Sequence, residues 1–211
     1  MRMLSENIQQ KWEVYSMASN AQGLVIKGSL DNEKVDKGTR EIFEWGSSLL
    51  FAFSVCTLFT LFFMFFTVSG DSMLPTLHNN DKLLVYKFRY EPQKGEIVTI
   101  DCDESLGKSI IKRVIATPGD TLRINYDTHE LFVNGQLLNE NYINEPTRTR
   151  GDGFIPNNTT VGVPDGHVLV LGDNRNHSLD SRYSEVGLVN IDDLYGHASV
   201  RHWPLGSVRL F

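Results

Sequence analysis

Between Glu44 and Asp71 the chain carries no charged residue, and the apolar centre of that stretch, Leu49 to Val68, reads LLFAFSVCTLFTLFFMFFTV. At about 1.5 Å rise per residue, a helix of this length spans about 30 Å, the thickness of a bilayer's hydrocarbon core. A buried core helix seldom runs so far without a polar face. A cleavable leader would start much nearer Met1 and end in small residues, whereas this run ends in Thr67, Val68, Ser69 and Gly70. The run therefore predicts a single transmembrane helix over 45–68. Lys27, Lys34, Lys37 and Arg40 precede it, against Lys82, Lys87 and Arg89 behind it, a slight excess that favours a cytoplasmic N-terminus.

The helix divides the chain into a cytoplasmic tail over 1–44, to which no chemistry can be assigned, and an extracytoplasmic domain over 69–211. The full chain has 211 residues, 41% of them hydrophobic, enough for one domain with a sizeable core. The formal charge of -6 lacks the basic excess of a nucleic-acid binder, so nucleic acid is not an expected partner. Cys56 and Cys102 have no metal-ligand spacing, and neither a disulfide framework nor a zinc site is expected.

Behind the apolar run the texture changes to short apolar segments separated by Gly, Pro, Asn and Asp, the pattern of antiparallel β-structure. The expected fold is mainly β, a barrel-like antiparallel sheet preceded by one transmembrane α-helix. Strands are predicted at LLVYKF from Leu83, EIVTID from Glu96, SIIKRVIA from Ser109, TLRIN from Thr121, HVLVLG from His167 and ASVRHW from Ala198. Pro118-Gly119-Asp120 suits a turn, and Asn134-Gly135 between ELFV and QLL is a two-residue hairpin signal. The polar segment from Asn144 to Pro164 reads as a surface excursion.

Three blocks hold residue types that carry chemistry. SGDSMLPTL, Ser69 to Leu77, presents Ser72 in a rigid-looking loop beside apolar Met73, Leu74 and Leu77. A serine hydroxyl needs a base to take its proton. In KSIIKRVIATPGD, Lys108 to Asp120, the two-residue period of a strand sets Ile110, Lys112 and Val114 on one face. Apolar flanks can depress a lysine by up to about 3 to 5 pH units, enough to free its lone pair near neutrality. The third block, GDNRNHSLDSRY from Gly172 to Tyr183, is dense in Asp, Asn, Ser and Arg and could orient such a pair. His177 in this block reads as a surface residue.

Together and in this order behind one membrane span, the blocks resemble the bacterial type I signal peptidases, over roughly Val68 to Trp203. SGDSMLPTL is similar to the family's serine box, GEIVTI from Gly95 to its short strand box, IIKRVIATPGD to its lysine box, and GDNRNHSLDSRYSEVG to its final box. The resemblance implies a membrane-bound serine endopeptidase that removes signal peptides from exported preproteins and uses no metal or organic cofactor. Its nucleophile would be Ser72 and its general base Lys112, with Ser178 hydrogen-bonded to the lysine amine. Asp180 and Arg182 would form a structural ion pair, Arg113 would support the site, and Met73 and Leu77 would line a shallow pocket for a small side chain. The catalytic domain would face the outside of the cell membrane. Some members place an oxyanion-donating serine where this chain has Gly70, which leaves the backbone N–H of Ser72 as the expected donor. The short stretch between the last two boxes implies a reduced accessory β-domain, as in single-span members from Gram-positive bacteria. Two other readings remain open here: a self-cleaving Ser-Lys repressor, and a membrane-tethered β-rich binding module.

Overall fold

Residues 39–87, 90–102 and 106–211 are described by a computed structural model. Thr39–Phe62 is one helix, α1, of 24 residues, long and apolar enough to cross a membrane. Its few polar side chains bond to its own backbone, as in Ser54 Oγ to the Leu50 carbonyl at 2.7 Å and Thr57 Oγ1 to the Phe53 carbonyl at 2.9 Å. That satisfies these hydroxyls without water, as a helix that crosses lipid requires.

The helix starts earlier than the apolar composition predicts and stops at Phe62, so the expected boundary at Val68 needs correcting. Phe63–Thr67 is instead a strand, β1, paired antiparallel with β2 at Lys82–Tyr86. Aromatic side chains suit a strand as well as a lipid-facing helix, and the cross-strand pairing of Phe63 with Tyr86 and Phe65 with Leu84 decides the matter locally.

Leu58–Phe211 forms a compact unit distinct from the segment that ends at Thr57. Its larger sheet continues with β3 (Ile97–Ile100) and β4 (Ile110–Ala116). A smaller sheet is built from β5 (Thr121–Asn125), β6 (Glu130–Val133), β7 (Gln136–Leu137) and β8 (Thr160–Gly162). The chain then returns to the larger sheet with β9 (His167–Leu171), β10 (Val189–Asn190), β11 (Leu194–Trp203) and β12 (Arg209–Leu210). The strand orders are β1-β2-β11-β3-β4-β9-β10, with β12 on β11, and β7-β6-β5-β8. Every pairing is antiparallel. Register shifts in β11 and between Val114 and Ala116 of β4 bend the larger sheet.

The predicted strands are all present, within a few residues of their expected ends. Asn134 and Gly135 have φ of 52° and 77°, the left-handed pair that a tight hairpin requires. β9 shows why its run is apolar throughout: Leu169 and Leu171 join the core shared with the smaller sheet, while Val168 and Val170 pack with Val98, Ile100 and Val114. A third cluster joins Val68, Met73 and Leu77 to Leu83, Val85, Ile97 and Ala198.

Asn144 to Pro164 is not a surface excursion. It supplies β8 and buries Thr147, Ile155 and Val163, which its polar composition conceals. Ile155 is fully buried against Leu122, Ile124 and Leu131 of the smaller-sheet core. Ile155→Ala is expected to lower the unfolding free energy by about 2 to 5 kcal/mol in denaturant titrations of the detergent-solubilised chain. A loss below about 0.5 kcal/mol would place the side chain outside the core.

Candidate active site

Ser72 lies in the loop between β1 and β2, whose ends are tied together. Val68 N–H donates to the Asp81 carbonyl at 2.8 Å, and Asn80 N–H to the Val68 carbonyl at 2.9 Å. Gly70, at φ +89°, adopts a conformation that side chains disfavour and donates its N–H to Asn79 Oδ1 at 3.0 Å. Met73 and Leu77 anchor the loop from below in the third core cluster. Met73 also lines the cleft beside Ser72, but Leu77 is wholly buried and is absent from that lining. The pocket role expected for Leu77 is thus replaced by a core role.

β4 brings the amine to this loop. Lys112 pairs with Val98 in the sheet, is only 3% exposed, and places Nζ 2.9 Å from Ser72 Oγ and 2.9 Å from the Ile111 carbonyl. Burial lowers its pKa to about 8; the carboxylates of Asp180 and Asp173 oppose that shift and the like charge of Lys108 assists it. A neutral amine can donate to the Ile111 carbonyl while its lone pair receives the proton of Ser72. The two groups stand within hydrogen-bond reach of each other, the spacing that a base and a nucleophile would need.

The loop after β9 braces both. Asp173 is buried and accepts from Arg113 Nε at 2.8 Å, Arg113 Nη2 at 2.6 Å and Thr76 Oγ1 at 2.5 Å. One carboxylate thereby joins the serine loop to β4. Arg113 also donates to the Gly95 carbonyl at 2.6 Å and lies 4.2 Å from the Tyr142 ring centroid. Asn174 holds the serine loop from its backbone N–H to the Ser72 carbonyl, 3.0 Å, and from Nδ2 to the Asp71 carbonyl, 3.0 Å. At Gly172 an added Cβ would collide with the Ser178 side chain and lie 2.6 Å from the Ser72 carbonyl, so only glycine permits this approach.

Asp180 and Arg182 form the expected ion pair, doubly bonded at 2.8 Å and 2.8 Å and wholly buried. Asp180 Oδ2 also accepts from Gly172 N–H at 3.0 Å, and Arg182 donates to the carbonyls of Thr149 and Arg175 at 2.9 and 2.6 Å. Arg175 itself is buried, donates to the Gly172 carbonyl at 3.1 Å and Thr147 Oγ1 at 3.0 Å, and pairs with Glu140.

The expected bond from Ser178 to the lysine is not formed. Ser178 Oγ is buried against Gly172 and has no hydrogen-bond partner, because the amine is turned to Ser72 and the Ile111 carbonyl. Asp173, Asn174, Arg175 and Thr76 were not singled out from the sequence. A close spacing of Asp and Arg directly behind a buried strand was their one signal.

These groups border a cleft of about 360 Å³ lined on one side by Phe66 to Met73 and on another by Lys108 to Lys112, with His177 and Leu179 completing it.

Residues 42–203 match the family model described as signal peptidase, peptidase S26. The chain is 35% identical over 187 residues to signal peptidase I of Bacillus licheniformis, covering 85% of this chain and 98% of that protein. It is 40% identical over 151 residues to a probable signal peptidase I-2 of Synechocystis sp., covering 68% of this chain and 64% of that longer protein. Signal peptidase IB of Staphylococcus aureus is 31% identical over 185 residues, covering 81% of this chain and 94% of its own length.

Arg182→Met would strand the Asp180 charge in a dry site and is expected to cost about 3 to 5 kcal/mol of stability. The Asp180→Leu, Arg182→Met double variant should lose less than the two single variants summed, measured by denaturant unfolding. Additive losses would mean that the pair acts as two independent groups.

Proposed function

The chain belongs to the signal peptidase family, peptidase S26, and is a serine peptidase; on that premise we propose that it is a membrane-anchored endopeptidase that removes N-terminal signal peptides from exported preproteins through a Ser72–Lys112 dyad. The observation that carries this reading is the buried amine of Lys112, 2.9 Å from the Ser72 hydroxyl.

Neutral Lys112 takes the Ser72 proton as Oγ attacks the carbonyl carbon before the scissile bond. The backbone N–H of Ser72 faces the oxyanion that develops, an interaction that strengthens only in the transition state. Collapse of the tetrahedral intermediate transfers the Lys112 proton to the departing amine and leaves the acyl group on Ser72. Lys112, neutral again, removes a proton from the water that attacks the ester, and Ser72 regains its proton when that second intermediate breaks down.

The preprotein lies extended in the cleft between Phe66–Met73 and Lys108–Lys112, with Met73 against the small side chain that precedes the cut. Ser178 contributes by filling the space beside Gly172 rather than by holding the amine. α1 crosses the membrane once, with the N-terminus inside and the catalytic unit outside. Anchoring raises the effective concentration of the membrane-bound substrate at Ser72.

Ser72→Ala and Lys112→Met, each still folded by circular dichroism, should lose more than about a thousandfold in kcat/KM on a model preprotein in liposomes. Retained processing by either variant would overturn the dyad. The reaction needs the unprotonated amine, whose fraction rises with pH. From about pH 6 the rate constant kcat/KM should therefore climb close to tenfold per pH unit and level off above about 8. A flat profile across this range would mean that Lys112 is not the base.

A further inference from the structure

The cleft contains a cation that the dyad chemistry does not use. Lys108 is exposed, precedes β4, and lines the same cavity as Ser72 and Lys112. Among the described residues it has no ion-pair partner; Asp103 and Glu104 lie outside them. The rest of the lining mixes apolar side chains such as Phe66, Val68, Met73 and Ile111 with uncharged hydroxyls such as Thr67, Ser69 and Ser109. Asp71 and His177 are the remaining groups there that can carry charge, and both are exposed.

Position along the cleft gives this charge a use. Lys108 stands four residues before Lys112, so at about 3.3 Å per extended residue its backbone lies within roughly 13 Å of the base. A substrate strand has the same rise. A substrate strand laid along β4 would bring a side chain within about four residues of the scissile bond to this ammonium. Asp71 adjoins the nucleophile in sequence and forms no ion pair with Lys108 among the described residues. The closeness of Lys108 to the dyad is also expressed in the direction in which it moves the Lys112 amine, downward.

Resting on the function proposed above, we propose that Lys108 is a specificity-determining residue: it selects preproteins with an acidic side chain at one position near the cleavage site and disfavours a basic one there. An exposed pair of this kind discriminates modestly, by about threefold between Asp and Ala, and less as salt rises.

The test uses the full chain in liposomes and one model signal-peptide substrate, with Ala, Asp or Lys placed in turn at each of the four positions on either side of the scissile bond. Wild type should show, at one position, kcat/KM in the order Asp, Ala, Lys. Lys108→Ala should erase that order and Lys108→Arg should keep it. Lys108→Ala should also move the rise of the pH profile to higher pH, since loss of a like charge lets Lys112 keep its proton longer.

Equal rates for Asp, Ala and Lys at every position in wild type would overturn the proposal. So would an unchanged preference in Lys108→Ala. If wild type fails to cut even the unsubstituted substrate, the peptidase reading itself fails and takes this one with it. That result is distinct from cleavage without charge preference, which removes only the role of Lys108.

Discussion

Keeping one amine out of water is the constraint around which the domain is organised. Lys112 comes from the middle of a buried strand, flanked on its own face by Ile110 and Val114, so its charge is opposed by its surroundings before any neighbour is considered. A hydroxyl placed 2.9 Å away then faces an amine that gives up its proton more readily than a hydrated lysine does. Dryness alone would be useless if the serine loop could drift. Most of the polar structure around the site restrains that loop.

The restraint is built from charge as well as packing. Asp173 takes three hydrogen bonds from Arg113 and Thr76, and Asn174 takes hold of the carbonyls on both sides of the Asp71–Ser72 peptide. Asp180 and Arg182 neutralise each other, and the remaining donors of Arg182 are spent on the carbonyls of Thr149 and Arg175. Buried pairs of this sort add little net stability. What they fix is geometry, since each of these bonds ties a particular donor to a particular acceptor across the site. They also leave negative charge near Lys112, which limits how far burial can depress it.

The sequence made much of this legible, and the gaps have physical causes. Strands with strict alternation or bounded by turn residues, such as Thr121–Asn125 and the Asn134-Gly135 hairpin, are local patterns and could be read directly. The switch from α1 to β1 could not, because Phe62 and Phe63 differ in nothing that composition records; only pairing with Lys82–Tyr86 distinguishes them. Ile155 was hidden among polar neighbours that turn outward around it. At the site, Ser72 and Lys112 were reached through the resemblance of several blocks taken together, because the flanks of either residue alone decide little. The Asp173 junction spans the chain from Thr76 to Arg113 to the final loop, a convergence that no window of sequence contains. Ser178 and Leu77 mark the opposite case, where the blocks were matched correctly but the side chains serve as filler and core.

The join between α1 and β1 has no spacer: Phe62 ends one and Phe63 begins the other. On the proposed anchoring of α1 in lipid, the thread from Phe62 to Ser72 would be too short to carry the hydroxyl farther than about 35 Å from the helix end, even if fully drawn out. The molecule is therefore a ruler as well as a blade. Under the proposed function, a polypeptide leaving the same bilayer would be cut only where its susceptible bond falls inside that reach, so the tether would set the length between its greasy segment and its cut.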